Sequence, residues 1–144
     1  QLRVGVGYQS GHDVEKDIDL AISWIKRAAD SGYNQAIHHL ASMYLDGEGV
    51  AQDRELAHSL FRKAVQQNYA PSASLLGLDL IAAKKEPGVE EGFRLVMKAA
   101  ASDHYGANLF LSNAYLTGRY GLARNKDLAE LFRIRAERLQ RKPD

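Results

Sequence analysis

The chain has 144 residues, 45% hydrophobic and 26% charged, with 19 basic and 18 acidic side chains and a net charge of +1. That is the size and composition of one globular domain with a core, and the balanced charge supplies no overall field to recruit nucleic acid or an anionic membrane. The absence of cysteine excludes disulfides, thiolate catalysis and cysteine-based zinc sites, and no apolar run approaches the roughly 18 residues that span a bilayer.

In chain order, Val4, Gly5 and Tyr8 align with Leu40, Ala41 and Tyr44 at an offset of 36 residues. The opening segment therefore reads as part of a helix, and the expectation is a longer parent chain or self-association through an open edge. Tyr8, Tyr44 and Tyr115 each end an apolar, helix-spaced run, and Gly11, Gly47 and Gly118 follow three residues later. Val14 and Val50, Asp17 and Asp53, Ala21 and Ala57, and Ala28 and Ala64 keep the same 36-residue offset. Periods of that size indicate stacked helix pairs, each unable to bury its apolar face alone.

Within a repeat the pattern predicts helix A, a loop and helix B. In the clearest copy Ala36, Leu40, Ala41, Met43 and Tyr44 lie on one buried helical face. Gly47 then serves as a left-handed C-cap, and Asp53 caps helix B, as Asp17 and Asn125 do in their copies, each cap worth about 1 kcal/mol. Helix B runs to about Gln67 on a stripe of Leu56, Ala57, Leu60, Phe61 and Ala64, and Trp24, in the Leu60 slot, is expected in the core.

The third copy departs from the pattern. Leu80 takes the tyrosine slot, Ala83 stands where Gly47 maps, Lys84-Lys85-Glu86-Pro87-Gly88 replaces the two-glycine loop, and Gly92 occupies the Ala57 slot inside helix B. An interior glycine costs roughly 0.5–1 kcal/mol relative to alanine, so this copy is expected to be the softest. In the fourth copy Ala129 and Ala136 return after a one-residue insertion near Tyr120, and Arg133, Arg135, Arg138, Arg141 and Lys142 suit the negative end of a last helix.

No catalytic constellation emerges. Gly5, Gly7 and Gly11 lack the glycine that a dinucleotide fingerprint needs where Ser10 sits, and Ser10 does not stand midway between two glycines as a nucleophile elbow requires. His38 and His39 are adjacent and point about 100° apart on a helix, while His12, His58 and His104 fall in different elements. Asp46 and Glu48 beside Gly47 are too few oxygens for calcium. No catalytic residue, no cofactor and no metal ligand is therefore expected.

The strings Leu40-Ala41-Ser42-Met43-Tyr44 with Gly47, Gly49, Val50, Asp53, Ala57 and Ala64, and Val4 through Asp17, Ala21, Trp24, Ala28-Ala29 and Gly32 to Ala36, resemble the Sel-like repeats, relatives of the tetratricopeptide repeats. The resemblance implies an all-α fold: a right-handed α/α superhelix of about four stacked helix-turn-helix repeats, 1–33, 34–69, 70–104 and 105–144, in a single solenoid. It implies adaptor or scaffold work rather than catalysis, with an immunity-type inhibitor of a secreted bacterial toxin such as a lipase as the alternative. It also favours a bacterial periplasm or cell envelope over the cytoplasm. Because helix A lines the concave surface of such stacks, the expected protein- or peptide-binding residues are Gln35, His38, Ser42 and Leu45 in the second copy. Ser74, Leu78 and Ile81 follow in the third, and Leu109, Asn113 and Leu116 in the fourth. Nucleic acid and membrane insertion are not expected.

Overall fold

The computed structural model describes residues 1–10, 17–85 and 87–141, which form α-helices without any strand among them. Eight helices follow in order: α1 (Leu2–Ser10), α2 (Ile18–Asp30), α3 (Asn34–Asp46), α4 (Arg54–Gln66), α5 (Ala70–Ala83), α6 (Gly88–Ala101), α7 (Tyr105–Thr117) and α8 (Lys126–Gln140). They divide into two compact units, Gln1–Tyr69 and Ala70–Asp144. Gly11, His12, Asp13, Val14, Glu86 and Lys142 lie outside the described residues.

The loops inside a helix pair close as the sequence pattern demands. Gly47 and Gly118 adopt left-handed conformations, with φ of 75° and 68°, and end α3 and α7. A residue with a Cβ pays a steric penalty there, which is why glycine fills both slots. The tyrosine ahead of each loop returns its carbonyl to the next cap: the Asp17, Asp53 and Asn125 N–H groups donate to Tyr8, Tyr44 and Tyr115 oxygens at 3.1, 2.8 and 3.0 Å. Each capping side chain in turn accepts from a first-turn amide, at Leu20, Leu56 and Leu128, over 2.9, 2.9 and 3.0 Å. These bonds satisfy amides that a helix start leaves without partners.

The turns from one helix pair to the next also repeat. Gly32, Asn68 and Asp103 have φ of 82°, 60° and 58°, and the amides of Tyr33, Tyr69 and His104 reach back to the carbonyls of Ala28, Ala64 and Ala99. Asn and Asp substitute for glycine because their short polar side chains tolerate the left-handed region.

Small residues mark the crossing of helix A over helix B in every pair. The slots hold Gly5 and Ala21, Ala41 and Ala57, Gly77 and Gly92, and Ser112 and Ala129, all buried. In α5–α6 the approach is so close that a Cβ on Gly92 would stand 2.6 Å from the Gly77 carbonyl oxygen, and one on Gly77 the same distance from that of Gly92. The interior glycine expected to soften this copy is therefore required by its packing. In α7–α8 the Ser112 hydroxyl spans the crossing instead, donating to the Ala129 carbonyl at 2.8 Å.

In the first unit Ile22, Ile25, Ile37, Leu40 and Met43 pack with the alanines of α2, α3 and α4, and Tyr44, Leu60 and Tyr69 close over them. The second unit buries Leu76, Ile81, Val96, Leu111 and Phe132, with Tyr115 stacked on Phe132 at 5.9 Å. Two expected core residues lie elsewhere. Trp24 is only half-buried, its ring covered by the Arg27 guanidinium at 4.9 Å, and Leu56 is exposed. Of the basic run in α8, Arg138 lies in the last turn as expected, while Arg133 pairs with Glu130 and Glu137, and Arg135 stands 3.9 Å from Asp103. Those partners hold the Arg133 guanidinium above its usual pKa range, the Glu130 hydrogen bond first, and Arg133 in turn lowers that of Glu130.

Candidate functional site

The helix-A residues expected to meet a partner are described unit by unit. In the first unit Gln35, His38, Ser42 and Leu45 recur at helical spacing on α3. Gln35 is exposed and accepts from the Tyr33 hydroxyl at 3.0 Å. His38 is half-buried, its ring 5.5 Å from Phe61 and 5.6 Å from Tyr69. The Ser42 hydroxyl donates to the His38 carbonyl at 3.1 Å, and the Leu45 carbonyl accepts from Gln52 at 2.7 Å. This face is half-covered and largely satisfied by its own neighbours.

In the second unit the expected residues divide. On α5, Ser74 and Ile81 are 3% and 2% exposed and present no surface to a partner, while Leu78 is half-buried. The close α5–α6 crossing explains Ile81: its Cγ1 lies 2.8 Å from where a Gly92 Cβ would stand. On α7, Leu109, Asn113 and Leu116 are all exposed, the two leucines at 41% and 54%. The opposite side of α7 carries its buried residues, Ala107, Leu111 and Ala114, so α7 is apolar on both faces but packed on one.

Two histidines sit in specific polar settings. His39 meets the Gln9 side-chain oxygen at 2.7 Å, and the Gln9 amide donates to Glu48 at 2.9 Å. With Gln9 Oε1 as acceptor, His39 Nε2 is the donor. Burial lowers the His39 pKa, and the nearby Glu48 charge opposes that shift. His104 is the N-cap of α7, its Nδ1 accepting from the Ala107 amide at 3.2 Å. Only an unprotonated Nδ1 can accept there, and burial lowers the His104 pKa in the same direction.

Sequence reasoning did not identify two adjoining clefts on the second unit. A cleft of about 460 Å³ is lined by Ile81, Lys84, Val89, Arg119, Tyr120 and Gly121. A second, of about 310 Å³, shares Arg119 and Tyr120 and adds Phe110, Asn113 and Thr117. The signal was present as irregularity, in the altered third loop and the insertion near Tyr120. Among the described residues no group of three or more His, Asp or Glu is placed to hold a metal, and no helix is long and apolar enough to cross a membrane.

Comparison with known proteins matches the Sel1 repeat at residues 1–33, 34–69 and 106–132. A chitin synthase regulator from Malassezia restricta is 29% identical over 113 residues, covering 74% of this chain and 8% of that protein. Protein sel-1 homolog 2 from Rattus norvegicus is 36% identical over 67 residues, covering 46% of this chain and 10% of that one. Among solved structures, a Sel1 repeat protein from Oxalobacter formigenes superposes with a TM-score of 0.84 at 27% identity, over 95% of this chain and 56% of that one. A protective antigen of uropathogenic Escherichia coli with an SLR fold also reaches 0.84, at 26% identity, over 98% of this chain and 30% of the other. The chain thus spans no more than 10% of these two sequence relatives.

Proposed function

The chain belongs to the Sel1 repeat family, whose repeats form a helical protein-interaction scaffold rather than a typical enzyme fold, and on that premise we propose that it binds a peptide or protein partner on its helix-A faces. The observation that carries this reading is the α7 stripe of Leu109, Asn113 and Leu116. Leu109 and Leu116 are large apolar residues, seven positions apart, exposed on the side away from the core of their own unit. Single exposed leucines are common, but two on one stripe beside an exposed amide suit an amphipathic segment that covers the leucines and hydrogen-bonds to Asn113. Leu78 extends the same role to α5, and Gln35, His38, Ser42 and Leu45 are the corresponding surface of α3. A relative named as a regulator of chitin synthase fits a module that acts through another protein.

The test is affinity capture from native cell extract with the intact chain and a Leu109→Asp/Leu116→Asp variant side by side. A partner held by the intact chain and lost from an equally helical variant supports the assignment. Equal recovery with both moves binding off the α7 face.

A further inference from the structure

We propose that the cleft between the loops of the second unit is an anchoring pocket for a peptide carboxylate next to an aromatic or branched aliphatic side chain. This inference rests on the peptide-binding reading above and specifies the chemistry of its partner.

The lining combines two characters. Val89 and the Tyr120 ring offer apolar surface beside the buried Ile81, while Lys84 and Arg119 supply two cations, and no carboxylate lines the space among the described residues. Neither cation has an acidic partner among the described residues. An arginine and a lysine left open over an apolar floor match an anionic group with an apolar neighbour, since a guanidinium binds carboxylate through paired N–H donors. Two cations suit one or two carboxylates rather than a polyanion.

The pocket wall is built and held. The Tyr120 ring lies 5.3 Å from that of Phe110 and 6.5 Å from that of Phe93, and those two are 6.3 Å apart, so three aromatics brace one another. Tyr120 and Lys84 both adopt left-handed conformations, with φ of 61° and 55°, which non-glycine residues keep only where surrounding packing holds them. Alignment of the loops shows what is particular to this place. Glu48 of the second copy occupies the Arg119 slot, and no residue of that copy corresponds to Tyr120. The two departures from the repeat pattern, the third loop and the fourth-copy insertion, meet at this one cleft.

A peptide is favoured as occupant because the surface is continuous with the α7 stripe. Asn113 belongs to that stripe and also lines the second cleft, which shares Arg119 and Tyr120 with the first. A segment lying on α7 therefore reaches Arg119 and Tyr120 by way of Asn113 and Thr117.

The experiment is selection of a random phage-displayed peptide library on the full chain, followed by binding of the enriched peptides to Lys84→Glu, Arg119→Glu and Leu109→Asp/Leu116→Asp variants. Arg119→Glu restores the residue type that the second copy carries in this slot, and unchanged melting confirms that each variant folds. The expected result is enrichment of peptides with a carboxylate beside an aromatic or aliphatic residue. Each charge reversal should weaken their binding on the order of tenfold, as expected for loss of a charge-assisted hydrogen bond, and added salt should weaken it further. Synthesis with free or amidated C-termini tells whether the chain end or an Asp or Glu side chain supplies the carboxylate. Peptides that depend on Leu109 and Leu116 but not on Lys84 or Arg119 would overturn the pocket while leaving the α7 face standing. A library that enriches nothing would overturn the pocket as well, and capture of a folded partner would then decide the α7 face on its own.

Discussion

The α3–α4 and α5–α6 pairs use the same crossing with different residues, Ala41 and Ala57 in one, Gly77 and Gly92 in the other. In the first, alanine suffices and the helix ends carry strong local signals, the left-handed Gly47 and the Asp53 cap. In the second the helices approach until no Cβ fits, the cap position is Pro87 without a side-chain hydrogen bond, and Lys84 takes a left-handed turn. A repeat can thus lose its loop signals and keep its place in the fold when its helix crossing tightens. The residues freed from the loop pattern then line a cleft.

The strongest way to break this comparison is to add a methyl group where the crossing is closest. Gly92→Ala is expected to destabilise by about 2 kcal/mol, the usual cost of overpacking, although alanine is the better helix former. Chemical denaturation measures it, and a stabilised variant would show that the crossing relaxes freely. Next in size is the capping contrast. Asp53→Ala should cost about 1 kcal/mol, with Asn125→Ala close to it, because both side chains accept from a first-turn amide.

Acidification sharpens the picture at the histidines. Both His39 and His104 have folded-state pKa values below the ordinary 6.5, so the unfolded chain takes up protons first as pH falls. Their contribution to stability is complete above pH 6.5 and is lost as pH falls from there through their lowered values. His104→Asn should keep the α7 cap through its side-chain oxygen while flattening its share of that slope in melts at several pH values. The smallest expected effect is the counterpart of the first. Gly7 lies inside α1 with no described heavy atom within 4 Å of a Cβ placed on it, so Gly7→Ala should stabilise by roughly 0.5 kcal/mol through helix propensity alone. Opposite signs for the two glycine substitutions would confirm that crossing distance decides.

Much of the architecture was legible because its signals act over a few residues. The 36-residue recurrence, the caps at Asp17, Asp53 and Asn125, and the left-handed glycines at 47 and 118 each report a local backbone need. Asn68, a departure from glycine in the Gly32 slot, keeps the same left-handed turn in the structure. The α7 part of the proposed binding face, Leu109, Asn113 and Leu116, is exposed. The α5 part was misjudged at Ser74 and Ile81, because phase alone cannot tell how closely a second helix approaches. Trp24 illustrates the same limit: its slot is apolar in the pattern, yet its ring remains half-open beneath Arg27.

By itself the sequence determined helix number, helix ends and the repeat, since apolar period, caps and turn residues act within one helix or loop. Only the tertiary structure decided that Gly92 is a contact rather than a flaw. It alone also decided that Ile81 is buried and that Lys84 shares one cleft with Arg119 and Tyr120, which lie more than thirty residues later in sequence. Those outcomes depend on distances between helices, which the packing of the whole unit sets and no short stretch of sequence contains.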